Sequence, residues 1–359
     1  MKLLVAGGGT GGHVFPAIAV AREWLKRGDG REVVIVGTGR GLEAKMAPAA
    51  GLPVETLRVG GLKGIGGARL ARNLAILPLG MWDAFRILRR HRFSAALGMG
   101  GYASGPMILA AALSGVPSVV FEPNVQPGFT NRVLAKLARR VAVAHEETAA
   151  RWAAKAVVTG CPVREQFFQA PESPCQPPFR VLVTGGSQGS RAINRAMTRA
   201  LDRLAARKTE FQVVHQTGEA DLAEVRLAYE RHGIEAEVRP FLDDMPARFA
   251  AADLIVCRSG AITVAEICAA GRAALFIPFG AATDSHQMSN ARAMERSGAG
   301  MVIAENELTG ERLAGEILEL IGNPAALGQM ARQARQLGRP RATGEIVDLI
   351  VDLIGGARP

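Results

Sequence analysis

The chain has 359 residues, 48% apolar and 21% charged, a balance that excludes an intrinsically disordered protein and supplies two cores, one per roughly 150 to 200 residues. Its four cysteines, Cys161, Cys175, Cys257 and Cys268, show no CxxC spacing, which excludes a disulfide framework or structural zinc and points to a reducing cytoplasm. The net charge of +10 is uneven: residues 1–163 hold 21 Lys and Arg against 9 Asp and Glu, a net +12, while residues 164–359 hold 22 against 24, a net −2, so the first half is expected to meet a polyanion.

KLLVA is too short for the apolar core of a signal peptide and reads as a first strand. It runs into GGGTGGH, residues 7–13, and a helix predicted from Pro16 to about Arg27. EVVIVG is the next strand and GLEAKMAPAA the next helix. Residues 70–92, LARNLAILPLGMWDAFRILRRHR, place Met81, Phe85 and Leu88 at helical spacing, with Pro78 expected to break or start the helix. SAALGMGG is a strand and glycine turn before a helix from about Gly105. The apolar run MILAAALSGVPSVVF is interrupted by Ser, Gly and Pro and falls short of the ~20 residues that cross a bilayer. APESPCQPPF, with four prolines, reads as a linker. The pattern then restarts at RVLVTGGSQGSRAINRAM and continues through FQVVHQTG, AEVRPFLDDM, ADLIVCRSG and AALFIPFG. Strands alternating with helices predict parallel α/β sheets whose carboxyl ends carry the ligands, two such domains lining a cleft.

Gly7, Gly9 and Gly12 satisfy G-x-G-x-x-G, the outline of a dinucleotide site. The acid expected at the end of the second strand is absent, and Arg40 there keeps an NADP reading open. A glycine turn made only for packing explains the glycines but not His13, which stands at a helix N-terminus that lowers its pKa and suits a neutral base. GMGGYASGP brings a second glycine turn with Tyr102, able to stack or hydrogen-bond. Gly185 to Gly189 offer amides ahead of a helix, without the lysine of a P-loop. In CRSGAITVAEICAAG, Ser259 and Gly260 are expected to cap a helix whose amides at Ala261, Ile262 and Thr263 meet an anion, with Glu266 one turn in to hold a ribose diol. An ordinary capped helix with a favourable first-turn charge accounts for the same pattern. Asp284, His286 and Gln287 offer groups for sugar hydroxyls.

Leu79 and Trp82 exceed the core spacing of their helix and lie among Arg86 and Arg89, an apolar patch ringed by positive charge that fits an anionic membrane surface. A buried helix with a solvated basic face is the alternative. No nucleic-acid motif accompanies the basic residues, so nucleic acid is not an expected partner. No DxD, HExxH, GxSxG or Walker pattern occurs, and neither a metal nor a cofactor is expected.

Taken in order, GGTGGH with VFPA, GMGGYASGP, TNRVLAK, GCPVR, GGSQGSRAIN, HQTG, FLDDM, CRSGAITVAEICAAG and FIPF with D-x-x-Q-x-x-NA span residues 2–300. Together they resemble the MurG family of peptidoglycan N-acetylglucosaminyltransferases. The resemblance implies a GT-B fold, two Rossmann-like parallel-sheet domains facing across a cleft, with domains at 1–163 plus 341–359 and at 164–340. It implies inverting transfer of GlcNAc from UDP-GlcNAc to the MurNAc C4 hydroxyl of lipid I, giving lipid II, at the cytoplasmic face of the cell membrane. Carried onto this chain, it implies donor contacts from Thr10, Gly11, Gly12, Asn124, Arg164, Ser187, the backbone of Leu242, Ala261 to Thr263, Glu266 and Gln287. His13 is the expected base, with Tyr102 and Glu122 on the acceptor side. The chain departs from the family at Phe121 and Pro123, where HEQN is usual, and at His286, where Gln is common. A UDP-GlcNAc epimerase on the same fold, an NADP-dependent dehydrogenase and a membrane adaptor are the competing readings.

Overall fold

The computed structural model describes residues 1–39, 41–60, 67–173, 175–280 and 286–356; within 67–74, side chains are described at 71 and 73 alone. Arg40 and Asp284 therefore lie outside the described residues. The chain divides into two compact units, Met1–Arg164 with Arg341–Pro359, and Glu165–Pro340. Arg164, expected at the head of the second domain, belongs to the first unit.

In the first unit β1 (Lys2–Ala6), β2 (Glu32–Gly37), β3 (Val54–Thr56), β4 (Ala95–Gly98), β5 (Ser118–Glu122), β6 (Arg140–Val143) and β7 (Ala156–Val158) form one parallel sheet in the order β3-β2-β1-β4-β5-β6-β7. Leu3, Leu4, Val5 and Ala6 are all buried, as a strand covered on both faces requires. The helices are α1 (Gly11–Lys26), α2 (Glu43–Ala49), α3 (Gly67–His91), α4 (Ser104–Leu113), α5 (Phe129–Leu137) and α6 (Glu146–Ala149). The last helix of the chain, α15 (Ala342–Gly355), packs on α1, where Arg27 bonds Asp348 and the Gly344 carbonyl.

The second unit opens with α7 (Glu165–Phe168) and sets β8 (Phe179–Thr184), β9 (Phe211–Gln216), β10 (Ala236–Arg239), β11 (Leu254–Cys257), β12 (Ala273–Phe276) and β13 (Met301–Val302) in the parallel order β10-β9-β8-β11-β12-β13. Its helices are α8 (Arg191–Leu204), α9 (Leu222–His232), α10 (Met245–Ala251), α11 (Ala261–Ala270), α12 (His286–Arg296), α13 (Gly310–Gly322) and α14 (Pro324–Gln336). In both units the strand order reverses beside the first strand, β1 against β4 and β8 against β11. Open α/β sheets bind ligands at that reversal.

Three local expectations are corrected. Helix α1 starts at Gly11, with Pro16 inside it: the Thr10 carbonyl accepts from the amides of His13 and Val14, and burial of Val14, Ala17, Ile18, Val20, Ala21 and Trp24 outweighs the bond that Pro16 forgoes. Helix α3 continues through Pro78, because its later half is fastened by buried Ala84, Ile87 and Leu88 and by Asp83, which accepts from the Arg58 amide and guanidinium. The proline-rich stretch is no free linker. Arg272, wholly buried, donates to the carbonyls of Pro171, Phe249 and Ala250, Arg335 reaches Ala170 and Pro171, and Asp253 accepts from Ser173 and the Arg180 amide.

Candidate active site

At the strand-order reversal of the first unit, the loop after β1 meets the loop after β4 backbone to backbone. Gly101, at φ +75°, leaves no room for a Cβ against the Gly8 carbonyl, so only glycine serves there. A Cβ on Gly100 would stand 2.7 Å from the His13 ring. Ser104 pins the second loop by accepting from the Gly100 amide at 2.9 Å while its hydroxyl lies 2.7 Å from the Ala6 carbonyl. His13 is partly exposed as a residue, yet its Nδ1 is buried with no hydrogen-bond partner. Burial lowers its pKa below the ordinary 6.5, with the Gly8 carbonyl and the Glu43 charge opposing. A neutral imidazole ready to take a proton results.

Thr10 is exposed and takes the N-cap position of α1 with extended backbone but no side-chain capping bond, and Gly11 and Gly12 form the first turn. Tyr102 is exposed on the loop after β4. Arg164 stacks over Phe15 of α1, 5.1 Å from the ring centre.

Glu122, expected on the acceptor side, is tied into its own loop. Its carboxylate is buried and accepts four bonds of 2.9 to 3.1 Å, from the Asn124 amide and side chain, the Gly128 amide and the Asn131 side chain. It shapes the loop that presents Asn124. Thr148 holds the same loop through the carbonyls of Asn124 and Val125. Sequence reasoning missed His145, whose pKa is lowered by burial and raised in part by Glu147 and the nearby Pro123 carbonyl.

At the corresponding reversal in the second unit, residues 185–189 turn tightly, the Gly189 amide bonding the Gly186 carbonyl at 2.9 Å. Ser187 is exposed at the tip, and Ser190 caps α8 by accepting from the Ile193 amide. Gln216, fully buried at the end of β9, ties three strand ends together: its Nε2 donates to the Gly186 carbonyl at 2.8 Å and to Thr184 Oγ1 at 3.3 Å, and its Oε1 accepts from the Leu242 amide at 2.8 Å. The Leu242 N–H is thus committed internally, so what its backbone still has to offer is the carbonyl. Phe241 beside it is half exposed.

Gly260, not Ser259, is the N-cap of α11, and among the described residues no side chain caps that helix. The Ser259 hydroxyl instead donates to the Gln287 carbonyl at 2.8 Å. The amides of Ala261, Ile262 and Thr263 thus keep the open, dipole-positive end that binds anions, with Glu266 partly exposed on the same helix. Gln287 spends its Oε1 on the Phe279 amide at 2.9 Å, which leaves its Nε2 to donate. Arg258 was missed as well: it reaches Ser190 Oγ, the Ile277 carbonyl and Glu305, joining α8 to the ends of β12 and β13. Among the described residues no group of three His, Cys, Asp or Glu could hold a metal ion.

Residues 3–143 match the glycosyltransferase family 28 N-terminal domain and residues 180–346 its C-terminal domain. Proteins of Myxococcus xanthus, 47% identical, and Anaeromyxobacter dehalogenans, 45% identical, each align over 99% of this chain and 93% of their own length. Both carry the name UDP-N-acetylglucosamine--N-acetylmuramyl-(pentapeptide) pyrophosphoryl-undecaprenol N-acetylglucosamine transferase. The chain belongs to the MurG family of glycosyltransferases. The MurG crystal structure from Acinetobacter baumannii superposes with a TM-score of 0.80 at 32% identity, over 98% of this chain and 99% of that one. The fold is accordingly GT-B, with two Rossmann-like domains. A UDP-GlcNAc 2-epimerase of Neisseria meningitidis shares that fold at a TM-score of 0.70, 15% identity and 98% coverage of this chain and 100% of that one. At so low an identity the likeness speaks for fold alone.

On α3 of this MurG-family chain, Leu79 (45%) and Trp82 (68%) are exposed, as are Arg86 and Arg89, while Ala84, Ile87 and Leu88 face the core. Exposed Leu113, at the end of the neighbouring α4, was not foreseen. Among the described residues no helix is long and apolar enough to cross a membrane.

Proposed function

We propose that the chain transfers GlcNAc from UDP-GlcNAc to the C4 hydroxyl of the MurNAc unit on undecaprenyl diphosphate, converting lipid I to lipid II in cell-wall synthesis. The observation that carries the donor half is the uncapped end of α11, with Glu266 one turn in and the Phe241–Leu242 backbone held by Gln216. The amides of Ala261 to Thr263 take the diphosphate, Glu266 the ribose diol, and the Leu242 carbonyl with Phe241 the uracil. Ser187, Arg164, Asn124, Gln287 and the Thr10–Gly12 turn complete the donor contacts. The first unit is the acceptor domain and the second the donor domain, with Tyr102 on the acceptor side.

In the chemical step His13 takes the proton of the C4 hydroxyl as its oxygen bonds to C1 from the face opposite UDP. The C1–O bond to the diphosphate breaks, its electron pair passing to the UDP oxygen, and the configuration inverts. The α11 amides, aimed at that growing charge before it forms, stabilise the transition state. Leu79 and Trp82, with Arg86 and Arg89, rest on the anionic cytoplasmic surface of the membrane where the lipid acceptor resides.

Calorimetric titration with UDP-GlcNAc, UDP-glucose and NADPH, paired with UDP release in the presence of a lipid I analogue, tests the reading. UDP-GlcNAc binding with acceptor-dependent UDP release is expected. Tight NADPH binding without UDP-GlcNAc binding would overturn it, and turnover of UDP-GlcNAc without acceptor would make the chain an epimerase.

A further inference from the structure

A buried carboxylate anchors the glycine loop that leads to His13. Glu43, in the first turn of α2, is fully buried. Its Oε2 accepts from the Gly9 amide at 2.8 Å, and its Oε1 from the Thr38 amide at 2.8 Å and the Thr38 hydroxyl at 3.0 Å. In return the Leu42 amide donates to the Gly9 carbonyl at 3.3 Å. Three glycines make room for the group: a Cβ on Gly8 would stand 2.6 Å from its Cδ, and a Cβ on Gly37 or Gly41 would overlap it. Burial pushes the Glu43 carboxyl up, yet the amides of Gly9, Thr38 and Glu43 itself, with the Thr38 hydroxyl, outweigh it and hold the group below its ordinary value. It is therefore ionised at neutral pH.

Burying a charge is costly to folding, and a neutral, well-packed side chain would serve stability at least as well. The charge has a second effect. It acts on the His13 imidazole against the loss of solvent around that ring. From the other sides the ring faces the Gly8 carbonyl and the backbone at Gly100. Tyr102 is the titratable side chain of that second loop, and Arg164 stands over Phe15, two residues along α1.

We propose that Glu43 is a positioning residue of the transferase site: its buried carboxylate locks Gly9 to the end of β2 and stands as a fixed negative charge behind the loop that leads to His13. The inference rests on His13 being the base. Glu43→Gln keeps the shape but removes the charge and turns one acceptor into a donor facing N–H groups. Displacing a catalytic group by about an ångström costs on the order of 100-fold, so kcat should fall roughly tenfold to a hundredfold, with KM for UDP-GlcNAc almost unchanged. With the charge gone, the acid limb of the kcat–pH profile should move to lower pH. Glu43→Asp keeps the charge and should leave that limb near its wild-type position while still lowering kcat.

Wild-type kcat and limb in Glu43→Gln would overturn the proposal. So would a lowered kcat with an unmoved limb, which would leave Glu43 a purely structural role. Should Glu43→Gln fail to fold, Thr38→Val, which removes one hydroxyl bond, is expected to lower kcat several-fold, and wild-type turnover in it would overturn the loop-locking. His13→Ala separates the two levels: near-normal turnover there overturns the base assignment and the inference with it, whereas lost turnover there with wild-type kcat and limb in Glu43→Gln overturns the Glu43 proposal alone.

Discussion

The corner after β1 and the corner after β8 share one outline, strand, glycines and helix, and both lie beside the strand-order reversal of a parallel sheet. They are held together by different means. An ionised carboxylate, Glu43, grips the first from within, and α1 has no side-chain cap. The second is held by Gln216 through three bonds and by Ser190 as the cap of α8, and the charge that touches it is a cation, Arg258, bonded to Ser190 and paired with Glu305 farther out. A corner that presents a titrating imidazole gains from a fixed charge nearby. A corner proposed to lie beside the diphosphate gains from a cation as its nearest charge, since an unpaired anion would repel the ligand.

The sharpest way to break this comparison is His13→Ala. General-base removal should lower kcat by roughly 10² to 10⁴ with little change in KM for UDP-GlcNAc, read as UDP release; an equal rise in KM would place His13 in donor binding. In the wild type the depressed pKa of His13 keeps the ring neutral below 6.5, so kcat should hold down to a pH below that value and fall beneath it as the ring is protonated.

In the second unit, Glu266→Ala should weaken UDP-GlcNAc binding by about 1.5 to 3 kcal/mol, the worth of a hydrogen bond to a charged group, with the kcat–pH limb unmoved; calorimetry measures it. The neutral network of that unit predicts an acid sensitivity of its own. His215 is fully buried between Tyr229 and Asn194, and burial lowers its pKa to about 3. The unfolded chain takes up that proton below 6.5 while the folded one does not, so stability should fall with acidification, by about 2 kcal/mol on reaching pH ~5. Denaturant melts of the wild type and His215→Gln check this, because the variant should lose that part of the slope.

Gln216→Leu should raise KM for UDP-GlcNAc about tenfold by leaving the Leu242 amide unpaired, a loss near 1.4 kcal/mol. Unlike Glu43→Gln, it should not shift the pH limb. The smallest effect is at the surface: Arg89→Ala should reduce binding to anionic vesicles about fivefold, near 1 kcal/mol for one basic residue at a charged membrane, while turnover of a soluble acceptor stays constant. Vesicle co-sedimentation separates the two readouts.

Most central strands of both sheets were legible in the sequence, because a strand buried on two faces reads as a continuous apolar run, often closed by a glycine turn, whereas β3, β5, β6, β7 and β13 were not singled out. The glycine turns and long motifs singled out His13, Glu266 and the α11 amides as candidates without any geometry. Glu43 was not legible. Its signal, an acid in the first turn of a short helix, is the same as that of an ordinary solvent-facing residue, and only the folded chain brings Gly8, Gly37 and Gly41 around it. The internal bonds of Glu122 were equally illegible, since they exist only once Asn124, Gly128 and Asn131 close on it. Pro16 and Pro78 read as helix boundaries because a local rule prices the missing N–H, whereas burial along the whole helix decides whether that cost is met.

What the sequence determined by itself is the set of local and periodic properties: two α/β units, their glycine corners, an excess of positive charge in the first, and the family. What the tertiary structure alone decided is which polar atoms are already spent. The Leu242 N–H, the Gln287 carbonyl oxygen and both oxygens of Glu122 are bonded within the protein, while the first amides of α11 carry no side-chain cap. Hydrogen-bond satisfaction depends on partners far apart in the chain, and burial makes each unpaired group expensive, so reactivity at this site is settled only when the strands are assembled.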